Sequence, residues 1–198
     1  MAYSKFTLSL LQEKFSIDDQ AVSLFAEIQT IQPSAWLLEA MEFTKSVPLL
    51  SEKARSEQIV TPILNELVKR NPGKIAVYSG IEMDADAENG LSGECDFLIS
   101  SNPKIMRLSP PIISLVEAKE QSIKLGTPQC IAQMLGARIF NQKNNKPMDR
   151  IYGCVTTGED WRFLLLEGNI VYIDNKNYYI NDLPTLLGVF QFIINQYI

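Results

Sequence analysis

The sequence predicts an α/β fold in which a mixed β-sheet is flanked by helices and preceded by an N-terminal helical extension. Short apolar runs bounded by charge, around Asp96 and Glu117, indicate buried strands. Apolar residues at helical spacing precede and follow these strands, so the order is helix, strand, strand, strand, helix, strand. The 198 residues fit one domain with an appended segment. We therefore divide the chain into a helical extension, 1–50, and an α/β domain, 51–198.

The first fifty residues predict two helices. Asp18 and Asp19 precede apolar residues at helical spacing, which is typical of an N-cap and a first turn over 18–28. Pro33 suits the first turn of a second helix that begins there. We expect a helical hairpin that packs on the core, and the alternative is a surface for a partner.

The next segment predicts a long helix followed by a strand. Ser51 is a good N-cap, and the helix should run towards Arg70, where Asn71-Pro72-Gly73 stops it. Pro62 lies inside and should kink the helix or remove one backbone bond. Glu57 lies near the edge of its apolar stripe. A strand over 74–80 and an acidic loop over 82–90 follow.

The strongest chemical signal is the pairing of Asp96 with Glu117-Ala118-Lys119. Asp96 opens one apolar run, and Glu117 and Lys119 close the run 111–116. Side chains alternate along a strand, so Glu117 and Lys119 point the same way, about 7 Å apart. If the Asp96 strand is adjacent, two carboxylates and one ammonium converge. Two hard oxygen ligands suit Mg²⁺, and a nearby lysine can orient a water or offset negative charge.

A helix that starts with Thr127 as cap and Pro128 at its first position follows the charged strand. Gln129 and Gln133 are four residues apart and so share one face, where they are either exposed or in contact with substrate. The remainder predicts short strands and a terminal helix, over 151–156, 161–166, 170–173, 178–180 and 183–197.

Composition excludes several kinds of chemistry. The chain has no histidine, which rules out Ser-His-Asp hydrolysis, Cys-His proteolysis and histidine-based zinc sites. It has no phosphate-binding glycine motif. Its three widely spaced cysteines favour neither a disulfide framework nor a metal site. Acid–base or metal chemistry must therefore use carboxylates, lysine, tyrosine or water.

Charge and hydropathy bear on location and partners. No apolar stretch is long enough to cross a membrane, and the N-terminal residues lack a secretory pattern, so we expect a cytoplasmic protein with no membrane partner. The net charge of −5 weighs against nucleic-acid binding. A local basic groove, or cations bound to active-site carboxylates, would still permit it.

The element order and the Asp96…Glu117-Ala118-Lys119 pattern resemble the PD-(D/E)XK nuclease superfamily, over roughly residues 51–166. Three phrases are similar to a group of uncharacterised cyanobacterial-type members: 52–57, 93–99 and 116–119. The segment 128–134 fits the same group, whereas Cys95 stands where the superfamily motif has proline. The resemblance implies a restriction-endonuclease-like core within 51–198.

The resemblance also implies roles for individual residues. Asp96, Glu117 and the main-chain carbonyl of Ala118 would bind Mg²⁺, which Mn²⁺ could replace, and Lys119 would orient the attacking water or stabilise the phosphate. Glu57 matches the family's helix glutamate, which supports a metal water or a second cation. Gln129 and Gln133 match supporting polar positions. The implied activity is metal-dependent hydrolysis of phosphodiester bonds in nucleic acid, with DNA as the expected substrate.

Two other interpretations remain open at this point. A catalytically inactive binding or regulatory domain could use the same fold, since fold does not confer function. The charged cluster could also be a structural ion pair in an unrelated α/β protein. A homodimer is a further expectation, with the terminal helix (Phe190, Phe192 and Tyr197) as either its interface or part of the core.

Overall fold

The computed structural model describes residues 2–104, 106–119 and 122–198, in which eight strands form one mixed sheet. The strands are β1 (Asp18–Val22), β2 (Ala76–Glu82), β3 (Glu94–Ser100), β4 (Ile112–Ala118), β5 (Arg150–Thr156), β6 (Asp160–Glu167), β7 (Ile170–Asp174) and β8 (Tyr178–Tyr179). Their order in the sheet is β1-β7-β6-β5-β4-β3-β2, with β8 paired to β6. The pairs β1–β7 and β4–β5 are parallel, and the other pairs are antiparallel.

Helices cover both faces of this sheet. They are α1 (Leu8–Phe15), α2 (Ala35–Thr44), α3 (Glu52–Arg55), α4 (Thr61–Arg70), α5 (Ile123–Lys143) and α6 (Leu183–Asn195). Buried side chains of α2, α4 and α6 form one core with the sheet, and those of α1 and α5 form the other. The α/β class with a mixed sheet and flanking helices is therefore confirmed. None of the helices in the described ranges is long and apolar enough to span a bilayer.

Strand β4 lies in the interior of the sheet, between β3 and β5. All seven of its residues are buried, as expected for an apolar run covered on both faces. Helix α5 connects β4 to the parallel strand β5 and packs against both. Glu117 is thereby held inside the fold at the carboxyl end of β4, with none of its surface exposed.

The prediction of a helix over 18–28 is wrong. Residues Asp18–Val22 form strand β1, which pairs in parallel with β7 at the edge of the sheet. An open sheet edge offers a ladder of backbone partners that the helical spacing of side chains does not reveal. The N-terminal extension is thus only partly helical, and Tyr3, Leu11 and Leu37 belong to the buried core. The division of the chain at residue 50 stays a prediction.

Two predicted helix starts also shift. Pro33 lies just before Ser34, whose side chain accepts a hydrogen bond from the Leu37 N–H as the N-cap of α2. Helix α5 begins at Ile123 rather than at Thr127, so Pro128 lies inside it. The position is tolerated because the missing bond would have gone to Lys124, an exposed residue that can be hydrated.

The helix predicted from Ser51 to Arg70 is confirmed in outline. Ser51 accepts a hydrogen bond from the Ala54 N–H as the N-cap of α3. A π-helical turn, Ser56–Val60, then separates α3 from α4 and immediately precedes Thr61 and Pro62. Pro62 cannot donate to the preceding turn, so the predicted perturbation takes the form of this wider turn.

Helix α6 packs on the sheet. Phe190 is fully buried, and the ring of Tyr197 lies 6.3 Å from that of Tyr152. Phe192 is 39% exposed. Two of the three aromatic residues considered for an interface therefore belong to the packing of one chain, and the homodimer stays a prediction.

The buried side chain of Asn141 ties the end of α5 to the start of β4. Its Oδ1 accepts from the Ile112 N–H at 2.7 Å, and its Nδ2 donates to the Ile112 carbonyl at 2.7 Å. Ile112 pairs with Ser100 of β3 at the register shift, whereas the pairing of β4 with β5 begins only at Ser114. Asn141 therefore supplies the hydrogen bonds that the irregular strand lacks.

We expect Asn141→Leu to lower the free energy of unfolding by about 2–4 kcal/mol, because two buried backbone groups lose their partners. Urea unfolding at neutral pH measures this change. The matched control is Gln142→Leu, since Gln142 is the exposed neighbour on the same helix. Equal stability of the two variants would contradict this role for Asn141.

Candidate active site

Asp96 and Glu117 lie on adjacent antiparallel strands, β3 and β4. The paired register of these strands ends at Phe97 and Val116. Beyond this point the Oδ2 atom of Asp96 accepts a hydrogen bond from the Ala118 N–H at 2.8 Å. A side-chain carboxylate thus replaces the backbone acceptor where the strands separate. The expectation that the two strands are neighbours is confirmed.

Glu117 has an ion pair at one carboxylate oxygen and a hydrogen bond at the other. The Nζ atom of Lys119 lies 2.6 Å from Oε1, and the Nε2 atom of Gln133 donates to Oε2 at 2.7 Å. The alternation along β4 that predicted a common direction for Glu117 and Lys119 is therefore correct. The Lys119 side chain keeps 22% of its surface exposed, so this ion pair joins a buried acid to a partly accessible base.

Burial and charge shift the protonation of all three groups. Burial raises the pKa of Glu117 to about 7, and the nearby charge of Asp96 adds to this rise while Lys119 opposes it. Burial also raises the pKa of Asp96, although the hydrogen bond from the Ala118 N–H and the charge of Lys119 lower it in part. Burial alone would lower the Lys119 pKa, but the charge and hydrogen bond of Glu117 outweigh it, so this pKa is raised. The lysine stays charged between two mutually repelling carboxylates.

A cleft of about 360 Å³ opens beside Asp96. Its charged lining comes from Asp96 and Glu94 on β3 and from Glu52, Lys53 and Glu57 on the α3 segment and the turn that follows. Glu57 is 57% exposed and lies 3.9 Å from Lys53. The structure therefore places Glu57 in the same cleft as Asp96, although its nearest charged partner is a lysine of its own helix.

Sequence reasoning missed Glu52. Its negative charge raises the pKa of both Asp96 and Lys119, which places it, rather than Glu57, among the main electrostatic influences on the site. The only signal was its position directly after the N-cap Ser51, which is typical of an ordinary first-turn acid. That α3 lines the same cleft as β3 could not be read from that position.

Gln133 and Gln129 differ in their relation to the site. Gln133 is buried and bonds to Glu117, and its Oε1 has no hydrogen-bond partner among the described residues. Gln129 lies one turn earlier on α5 and is half-buried. Of the two glutamines, Gln133 is the one that the structure brings to the carboxylates.

A glycine in strand β2 adjoins the site and was also missed. Ser79 and Ile81 pair with Phe97 and Cys95, so Gly80 lies opposite Asp96. Its φ of +62° is in the left-handed region that favours glycine. The sequence signal for this irregular backbone is the glycine itself, because a glycine inside a strand often marks a bend or a close approach of another chain segment.

The donor set fits a hard divalent cation. Asp96, Glu117 and the carbonyl of Ala118 offer only oxygen atoms, and Mg²⁺ is commonly held by one or two carboxylates with waters completing its shell. A cation would also relieve the repulsion between the buried Glu117 and the half-buried Asp96. Among the described residues, however, no three acidic, cysteine or histidine side chains form a group that could hold a metal ion. Protein carboxylates alone would therefore not saturate it.

No family model and no curated protein matches the chain. The chemistry of the site therefore has to be inferred from its own groups. These are a buried carboxylate, a charged lysine paired with it, and a second carboxylate that opens onto a cleft. Such a set can bind a cation, stabilise an anion or simply compensate its own charges.

We expect Glu117→Gln to remove a pH-dependent loss of stability. The folded-state pKa of Glu117, about 7, lies above the ordinary glutamate pKa of 4.5, so the folded chain binds this proton more tightly than the unfolded chain. The parent therefore loses stability as the pH rises through this window, by about 3 kcal/mol from this group, and the variant does not. Urea unfolding of both proteins from about pH 5 to about pH 8 measures the difference. If the difference in unfolding free energy between parent and variant is the same at every pH, the raised pKa of Glu117 is contradicted.

Proposed function

We propose that the chain is a metal-dependent nuclease of the PD-(D/E)XK superfamily, which hydrolyses phosphodiester bonds of nucleic acid, with DNA as the expected substrate. The observation that carries this proposal is the contact of Lys119 with Glu117 beside Asp96, on two adjacent strands of the sheet. Two acids and one charged lysine are the groups that such hydrolysis requires when histidine is absent.

The element order also supports the proposal. Helices α3 and α4 are followed by β2, β3 and β4, then by helix α5 and strand β5. This is the helix, strand, strand, strand, helix, strand order on which the resemblance to the restriction-endonuclease-like core rests. The acids lie on the second and third of these strands, where the resemblance requires them.

In the proposed reaction, Asp96, Glu117 and the Ala118 carbonyl would hold Mg²⁺, or Mn²⁺ in its place. The bound ion would supply positive charge and lower the pKa of water. The oxygen of an attacking water would form a bond to phosphorus while the bond to the opposite ester oxygen breaks. The proton lost by this water would pass to solvent, and the leaving oxygen would take up a proton from solvent. Gln133 holds the Glu117 carboxylate in one orientation through its 2.7 Å hydrogen bond.

Lys119 would act as a cation and not as a base. Its pKa is raised by contact with Glu117, so its amine carries a proton at neutral pH. A charged amine can orient the attacking water by hydrogen bonding and can stabilise the negative charge that develops on the phosphate. Its partly exposed position would let it reach a bound phosphate.

In this proposal Glu57 has a supporting role only. Glu57 lines the cleft and could bind a water of the metal shell or a second cation, together with Glu52. The same acids would repel a polyanion in the absence of cations. The proposal therefore expects substrate binding itself, and not only the chemical step, to depend on divalent ions.

A second candidate is a catalytically inactive binding or regulatory domain on the same fold. One observation favours it, since both oxygens of Glu117 already contact donors, Lys119 and Gln133. The charge of this carboxylate is already compensated by Lys119, without a metal cation. This candidate expects a folded protein that holds no divalent ion at Asp96 and Glu117.

We expect the purified parent to cleave plasmid DNA when Mg²⁺ or Mn²⁺ is present and not when chelator is added. Asp96→Asn should abolish this cleavage, because the site loses one of its two carboxylates. Lys119→Met should reduce the rate by about 100-fold or more, because it removes the charge that stabilises the transition state. Gel analysis of cleaved DNA, with an RNA substrate in parallel, measures both effects.

The matched control for that assay is Asp149→Asn, which changes an exposed acid between α5 and β5. Its cleavage rate should equal that of the parent. Unchanged cleavage by pure Asp96→Asn would reject the assignment of the site. Cleavage by neither parent nor control, with both proteins folded, would favour the inactive domain.

A further inference from the structure

A buried glycine on α5, Gly126, is in contact with the side chain of Lys119. A Cβ atom at this position would lie 2.7 Å from Cγ of Lys119, 2.7 Å from Cγ1 of Val155 and 3.4 Å from Cε of Lys119. Separations below about 3 Å between carbon atoms are strongly repulsive. The absence of a side chain at Gly126 therefore leaves the space through which the lysine stem passes.

The stem has little freedom to move away from an added methyl group. The Lys119 N–H donates to the Thr156 carbonyl at 2.8 Å, which extends the pairing of β4 with β5. At the other end, Nζ lies 2.6 Å from Oε1 of Glu117. Because both ends are held, the middle of the chain can shift only if one of these contacts is broken or Val155 moves.

Intrinsic helix propensity gives no reason for glycine here. Gly126 is the fourth residue of a helix of 21 residues, and alanine is preferred over glycine inside helices. No left-handed φ is found at Gly126, in contrast to Gly80. Contact with Lys119 and Val155 is thus the property of this position that an alanine would violate.

We propose that Gly126 is a positioning residue. Because it has no side chain, the Lys119 stem can take the path that keeps its amine on Glu117 and directs it at the site. The consequence for hydrolysis rests on the proposed function, because it requires that Lys119 act on the phosphate. The steric contact of Gly126 with Lys119 is independent of the proposed function. Helix α5 thereby positions two groups of the site, Glu117 through Gln133 and Lys119 through Gly126.

The first test is a stability cycle in which no substrate is needed. Gly126→Ala should lower the Tm by about 5 °C, as expected for an overpacked core. In a Lys119→Ala background, which removes Cγ, the same substitution should cost clearly less. In a Lys119→Ala/Val155→Ala background it should raise the Tm by about 2 °C, because only the helix propensity of alanine remains. Thermal unfolding followed by circular dichroism measures all six proteins.

The second test reads the position of the lysine amine directly. Acetic anhydride at limiting concentration acetylates accessible amines, and peptide mass spectrometry gives the rate at Lys119 relative to the exposed Lys53. In the parent, Lys119 should react more slowly than Lys53, since 22% of its side chain is exposed against 83%. Gly126→Ala should raise the relative rate at Lys119 several-fold. It should also lower any metal-dependent cleavage by about 100-fold, as for a small misplacement of a reacting group.

Gly136→Ala is the matched control. It is the same substitution ten residues further along α5, and its Cβ would press on the ring of Tyr3 instead. It should lower the Tm but leave the reactivity of Lys119 and any cleavage unchanged. A loss of lysine protection in this control would show that general loosening of α5, and not Gly126, controls the amine.

The outcomes separate this inference from the proposed function. If the parent cleaves no nucleic acid but the Tm coupling and the acetylation change occur, Gly126 positions Lys119 in a protein of another function. If Gly126→Ala fails to fold but folds with Lys119→Ala, the steric conflict is established directly. An equal Tm loss in every background, or an unchanged acetylation rate, would overturn the inference even if the nuclease assignment is correct.

Discussion

The site depends on one constraint, the placement of a carboxylate where no solvent reaches it. Glu117 has no exposed surface, and an isolated buried charge is strongly unfavourable. Lys119 and Gln133 offset this cost by placing a cation and an amide donor on its two oxygens. Its pKa of about 7 indicates that the compensation is incomplete. A further positive charge near Asp96 and Glu117 would complete it, and this is the physical basis for proposing a cation site.

Helix α5 is the element that makes this arrangement precise. It contacts the charged strand segment at three places: Asn141 binds the backbone of Ile112, Gln133 binds Glu117, and Gly126 packs on Lys119. These contacts extend from the start of β4 to the residue that follows it. A helix that crosses between two parallel strands is rigidly placed, so residues on it can hold a neighbouring side chain within a narrow range. The geometry of the site is thus a property of helix–strand packing and does not depend on a flexible loop.

The sequence was informative where one physical effect dominates and misleading where two compete. An apolar run closed by charge identified β4, and side-chain alternation correctly predicted that Glu117 and Lys119 share a direction. Helical spacing over 18–28 was outweighed by backbone pairing at the open edge of β7, which no side-chain pattern records. Glu52 and Gly126 were missed because their importance arises from elements that pack against them in space. Gly126 in particular is important because a side chain there would collide with Lys119.

We propose above all that Asp96 and Glu117 together bind a divalent cation. Calorimetric titration with Mn²⁺ tests it without any choice of substrate. We predict saturable binding by the parent, loss of binding in Glu117→Ala, and retained binding in Lys119→Met, where the competing amine is gone from Oε1. Identical heats for the parent and Glu117→Ala would contradict the claim, and the charged groups would then be a self-compensated ion pair within the fold.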